Sequence, residues 1–216
     1  MITSHDQLPL GAYLDILALQ ERDMDDIDRR VAILAILTGK TEREVLNAPI
    51  AEVSAWSDAA AFLERPATIP KRIAGSYRLG GFDLVPTTDL NKITTAQYID
   101  FRTFAPEGDA RLVELASVFL VPRGKPYADG YDIAEVQQAI REELTVTDAL
   151  ALSAFFLTRY AALIRTSLSF LARLARTEKD KAKAARIRKR LADLETLVET
   201  LTSLGSGGDG SQPSTE

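Results

Sequence analysis

At 216 residues with 46% hydrophobic side chains, the chain is long enough to bury a sizeable core, and disorder throughout is excluded. The absence of cysteine removes disulfides, thiolate metal sites and a cysteine nucleophile, and fits a reducing compartment. A formal net charge of −5 gives the whole chain no attraction to nucleic acid.

The opening Met1 to Asp6 lacks the basic-then-apolar pattern of a secretory leader. Residues 9–22 read as a helix with Pro9 near its first turn, where a missing N–H costs little. Asp25 and Asp26 can cap a second helix, in which Ile27, Val31, Leu34 and Ala35 follow helical spacing and Gly39 is the stop signal. Thr41 with Glu44 forms a capping-box pattern for a short third helix. Pro49 opens a fourth through Val53, Trp56, Ala60 and Leu63, ending at Pro66. Up to residue 70 there are 12 acidic against 6 basic residues, which predicts an acidic outer surface.

The period changes at residues 71–87. Ile73, Tyr77, Leu79, Phe82, Leu84 and Val85 alternate with Gly75, Gly80 and Gly81, the pattern of a small antiparallel hairpin or three-strand ribbon. A lone hairpin is marginal in water, so this one must pack on helices or a partner. The segment 78–82 is a turn; a phosphate-cradling loop would need a following Lys-Ser/Thr and a helix. Thr94 and Gln97 supply a second capping box, opening a helix with Ile93, Tyr98, Ile99, Phe101 and Phe104. Residues 106–109 break it, 109–121 resume as a helix, 122–130 form a long loop, and 133–144 are helical.

Thr147 or Asp148 can then cap a long apolar helix over 149–175. Its length suits a membrane span, but Arg159, Arg165 and Arg173 lie inside it and each costs about 2.5–3.5 kcal/mol on insertion scales. These arginines join Thr158, Thr166, Ser169 and Arg176 in a narrow polar stripe on an otherwise apolar helix. The expectation is a helix buried by several neighbours, as a central post or an oligomer interface. Residues 177–190 carry seven basic and two acidic side chains. Ile187, Leu191, Leu194, Val198 and Leu201 follow as a short coiled-coil seam. The tail from Gly205 is Gly/Ser-rich and reads as flexible. The predicted fold is therefore mainly α (α+β). A helical domain over 1–176 carries the ribbon at 71–87, a basic helix over 177–204 completes a helical hairpin or coiled coil, and 205–216 are disordered.

No constellation of catalytic type emerges. His5 is the only histidine and lies in a segment expected to fray, so neither general-base work nor a zinc site is expected, and no cofactor is implied. Asp23, Asp25, Asp26 and Asp28 lack the spaced ligands, turn glycine and closing glutamate of a calcium loop, and read as capping and solvation. Trp56, Phe62, Tyr98, Phe101 and Phe104 offer an aromatic surface whose ordinary reading is core. The basic run is a solvated face, a contact for an acidic protein, or a phosphate-binding strip through Lys183, Arg186, Arg188 and Arg190. It has no aromatics for base stacking, so any nucleic-acid contact would be strongly salt-sensitive.

Three stretches resemble a known pattern: DRRVAILAILTG at 28–39, EVLNAP at 44–49, and LNKITTAQYIDF at 90–101 beyond the ribbon. Together they resemble small tailed-bacteriophage proteins encoded among the structural genes, of a tail-assembly-chaperone-like type, over roughly 10–175. The resemblance implies a noncatalytic protein, located in the host cytoplasm or in the virion, that binds a tape-measure, tail or portal-region component and can self-associate. It carries over no catalytic residues and leaves the basic segment and tail unassigned. Expected protein contacts are Tyr98, Phe101 and Phe104 on the aromatic helix and Leu191, Leu194 and Val198 on the C-terminal seam. Two other classes stay open: a permanent virion component, such as a connector or packaged cargo, and a nucleic-acid-binding accessory protein.

Overall fold

The computed structural model describes residues 1–177 together with Lys183, Ala185, Arg186, Lys189 and Ala192. Two compact units divide the chain: Met1–Thr87 with Lys92–Leu152, and Thr88–Asn91 with Ser153–Glu216. Among the described residues the protein is mainly helical with one small antiparallel sheet. The basic coiled-coil segment and the Gly/Ser tail lie outside the described residues, apart from the five positions named.

In the first unit, α1 (Leu10–Glu21) starts after Pro9 without a side-chain cap. Its first N–H donates instead to the Leu144 carbonyl at 2.7 Å, and the Val146 N–H returns to the Leu8 carbonyl at 2.9 Å. The two entry segments thus lie antiparallel, and one orphan donor at each of two helix starts is satisfied by tertiary structure. Leu8, Leu10, Leu144 and Val146 are buried there. The N-terminus is held rather than frayed: the Ile2 N–H donates to the Leu37 carbonyl, and His5 meets Phe62 edge-to-face at 5.0 Å.

Helix α2 (Asp26–Thr38) begins with the Asp25 carboxylate accepting from the Ile27 N–H and ends at Gly39 in the left-handed region. Both helix-stop and helix-start signals therefore act as the sequence predicts. The Thr41–Glu44 capping box is complete in α3 (Glu42–Leu46). Pro49 precedes α4 (Ile50–Ala60), which tightens into a 3-10 turn at Ala61–Glu64. Leu8, Ile16, Leu37 and Val146 form one apolar cluster, and Leu34, Ala35 and Val45 form a second beneath Trp56 and Val53.

The ribbon is smaller than expected at its start and borrows its third strand from elsewhere. Residues 65–76 carry neither helix nor strand. Strand β1 (Tyr77–Leu79) turns through Gly80 and Gly81, both at positive φ, into β2 (Phe82–Pro86), with Leu79 opposite Phe82. A two-residue turn with both central φ positive matches the twist of a hairpin. The third strand is β3 (Leu120–Pro122), paired antiparallel to β2 with Val85 opposite Val121. The expected helix at 109–121 is consequently shorter: α6 (Leu112–Phe119) stops where the chain joins the sheet.

Helix α5 (Thr95–Phe104) precedes α6 and carries the complete Thr94–Gln97 box. Helix α7 (Ile133–Glu143) is capped by Asp132. Helix α8 (Val146–Thr177) follows, and its cap is Thr145: the Thr145 hydroxyl accepts from the Asp148 N–H and donates to the Asp148 carboxylate. That corrects the expected cap at Thr147 or Asp148 by two or three residues. Residues 153–177 of α8 belong to the second unit, where Phe156 and Tyr160 are buried one turn apart and Thr158 and Arg159 are exposed. Arg159 lies over the Phe155 ring at 5.3 Å. Of the predicted polar stripe, the side chains of Arg165, Thr166, Ser169, Arg173 and Arg176 lie outside the described ones. No helix among the described residues is long and apolar enough to cross a membrane.

Candidate protein-binding surface

The aromatic residues grouped by sequence do not form one surface. Phe101 is 2% exposed and meets Phe119 edge-to-face at 5.4 Å, so it belongs to the core. That corrects its expected role as an open contact. The reason lies across the helix: the Gln97 side chain is buried and its Nε2 donates to the Val118 carbonyl at 2.8 Å, turning the Gln97–Phe101 face of α5 onto α6. Tyr98 and Ile99 emerge on the other side, at 41% and 56% exposure, and Phe104 is half-buried. Trp56 packs over the Leu34–Val45 cluster with the Lys40 ammonium 5.5 Å from its ring centre, and Phe62 packs with the Leu8–Leu37 cluster. Lys183 and Arg186 are exposed. Arg188, Arg190, Leu191, Leu194 and Val198 lie outside the described residues.

One part-buried polar node lies in the same unit. The Tyr127 hydroxyl donates to the Asp100 carboxylate at 2.7 Å, and burial, reinforced by that carboxylate, pushes the phenol far above its ordinary pKa. The bond ties the 122–131 loop to α5, and the phenol keeps its proton near neutral pH. Among the described residues, no group of three His, Asp or Glu side chains is placed to hold a metal ion. Every buried side-chain polar atom described has a hydrogen-bond partner. The buried polar groups are thus occupied in holding the fold.

What the structure leaves open is apolar. Ile27, Val31 and Leu34 recur at four and three residues along one face of α2, and Val53 faces them from α4. Together with Asp26 and Arg30 they line a groove of about 350 Å³. Ile27 is 71% exposed at one end, and Ile50, one turn before Val53 on α4, is 88% exposed. Leu46 at the end of α3 adds another exposed leucine at 66%. Helix α4 contains no buried residue at all, so its apolar side chains are covered on one side only. Single exposed apolar side chains are ordinary; here Ile27 stands on an apolar groove while Leu46 and Ile50 are exposed on the neighbouring α3 and α4, which makes this a candidate binding surface.

The electrostatics around the groove are lopsided. Arg29 is drawn into the α1–α2 connection, where its guanidinium donates to the carbonyls of Leu19, Arg22 and Met24 and to Asp26 at 2.7 Å. Asp23, Asp25 and Asp28 stay exposed around the start of α2. On the α4 side, no basic residue occurs between Arg43 and Arg65, while Glu44, Glu52, Asp58 and Glu64 do. Sequence reasoning identified the α2 and α4 apolar positions as helix faces and missed that Ile27 and Ile50 remain uncovered. The available signal was the coincidence of those faces with the acidic excess. In comparisons with protein-family models, curated proteins and solved structures, nothing matches this chain.

Proposed function

We propose that this is a noncatalytic phage protein that binds other structural proteins during tail or neck assembly, with the α2–α4 groove as its docking surface. The observation that carries the binding role is the groove itself: apolar side chains aligned over two helical turns on α2, faced by a helix with no buried residue. The phage setting rests on the resemblance of residues 28–39, 44–49 and 90–101 to tail-assembly-chaperone-like proteins. Mechanistically, the groove takes an apolar helical face of a tape-measure, tail or portal-region component and keeps it from water until assembly. Fully burying a side chain such as Ile27 contributes about 1.5–3 kcal/mol, so two or three such contacts support a reversible complex.

Co-expression with the products of adjacent reading frames, followed by affinity purification, tests this reading. A tail, tape-measure or portal-region protein should co-purify with the native chain and be lost with Ile27→Asp. Retention of every captured partner by Ile27→Asp would remove the groove from the mechanism. Mass spectrometry of purified particles decides whether the protein leaves after assembly: stoichiometric presence would make it a permanent virion component.

A further inference from the structure

We infer that the α2–α4 groove selects a basic amphipathic helix, one that presents two or three apolar side chains at helical spacing flanked by lysine or arginine. This inference rests on the docking role proposed above and adds the partner's chemistry.

Ile27 and Leu34 are seven residues apart on α2, a span of about 10 Å at 1.5 Å per residue. That length takes the i and i+4 side chains of an incoming helix. An added β-strand would need an open sheet edge beside the groove, and α2 and α4 offer none. The facing elements are two helices, so docking runs through side chains rather than along a sheet edge.

Charge then chooses among helices. Five carboxylates, Glu21, Asp23, Asp25, Asp26 and Asp28, fall within two turns of Ile27 in sequence. Of the three bases in the same stretch, Arg29 pairs with Asp26 and with backbone carbonyls, which sets the other four carboxylates against Arg22 and Arg30, the latter lining the groove itself. Asp25 and Asp28 also serve the helix, since carboxylates at its first turn offset the positive end of the dipole, but they remain exposed and charged. Helix α4 contributes Glu52 beside Val53 and Asp58 six residues on, against one base on that side, Lys40, whose ammonium lies over the Trp56 ring. Such charges act over roughly a Debye length, about 8–10 Å, and Asp28 and Glu52 each adjoin in sequence a groove-lining side chain, Ile27 and Val53. An acidic helix would meet like charge on both banks; a basic one is steered in and held.

The experiment uses the full chain and two fluorescein-labelled 20-residue helical peptides. They share one apolar face of leucines at i, i+4 and i+7, and differ in carrying lysine and arginine, or glutamate, at the flanking positions. Anisotropy titrations at low and physiological salt read the affinity. The basic peptide is expected to bind at least about tenfold more tightly than the acidic one, with the difference shrinking as salt rises. Ile27→Asp should abolish binding. The pair Asp28→Asn with Glu52→Gln should weaken the basic peptide severalfold and flatten its salt dependence. All these positions are exposed, and circular dichroism melts confirm that each variant folds. Equal binding of the two peptides, still lost with Ile27→Asp, overturns the basic-partner inference and leaves the docking groove standing. Binding of neither peptide, or binding indifferent to Ile27→Asp, overturns both. A concentration-dependent dimer dissolved by Ile27→Asp, seen in sedimentation, would seat a second copy in the groove and also overturn the inference.

Discussion

Helices α6 and α4 lie in the same unit and both carry substantial apolar content, yet they end in opposite situations. Seven of the eight residues of α6 are buried, and none of the eleven in α4 is. The difference is in the neighbours. Helix α6 packs between α5 and α7 and runs directly into β3, so it is covered on several sides. Helix α4 packs on α2 and continues into its own 3-10 turn, which leaves the α2–α4 groove open. Apolar composition therefore marks where burial is needed, and the supply of neighbours decides whether it happens inside the chain or with a partner.

Substitutions on the two sides should separate sharply. Phe101→Ala removes a ring buried against Phe119 and α6, and should cost about 3–5 kcal/mol in urea unfolding. A cost below about 1 kcal/mol would mean that the α5–α6 contact is not core. Gly80→Ala comes next. Its φ of +54° is disfavoured for any side chain, and the new Cβ would lie 2.5 Å from the Ala139 Cβ on α7. The expected loss is about 2–3 kcal/mol, read as a lowered unfolding midpoint. Ile50→Ser on the exposed side should change stability by no more than about 0.5 kcal/mol while weakening partner capture. A large loss of stability there would show that α4 is covered within the chain after all, and would collapse the contrast.

The smallest effect concerns pH. The Arg123 guanidinium, bonded to the Asp83 carboxylate at 2.6 Å, holds that carboxyl below its ordinary pKa. A lowered folded-state pKa means the pair's contribution is present above the ordinary carboxylate range and is lost as pH falls through the folded value. Both groups are exposed, so the contribution is minor. In thermal melts from neutral pH downward, Asp83→Asn should remove a small part of the acid-side decline, and an unchanged profile would discard the pair as a stabiliser of the β2–β3 edge.

Much of the helical framework was legible because its signals are local. The Asp25 cap, the Gly39 stop and the Thr41–Glu44 and Thr94–Gln97 boxes each involve groups within four residues, so spacing alone brings them together. The hairpin at Gly80–Gly81 was legible for the same reason. The candidate surface was only half legible. Helical spacing put Ile27, Val31 and Leu34 on one face, as it put Gln97 and Phe101 on another, and nothing in the spacing told which face would be covered.

Sequence by itself determined the mainly helical class, most helix starts and stops, and the acidic character of the first 70 residues. Those properties depend on residue identity and on neighbours along the chain. Tertiary structure alone decided that 120–122 becomes the third strand, since its partner Val85 lies 36 residues away. It also decided that Gln97 reaches Val118 as well as capping its own helix, and that Thr145 rather than Thr147 starts α8. Above all, it decided that the Phe101 face is closed and the Ile27 face is open. Coverage of an apolar face depends on which elements the whole chain brings alongside it, and those contacts are made across distances that no local pattern records.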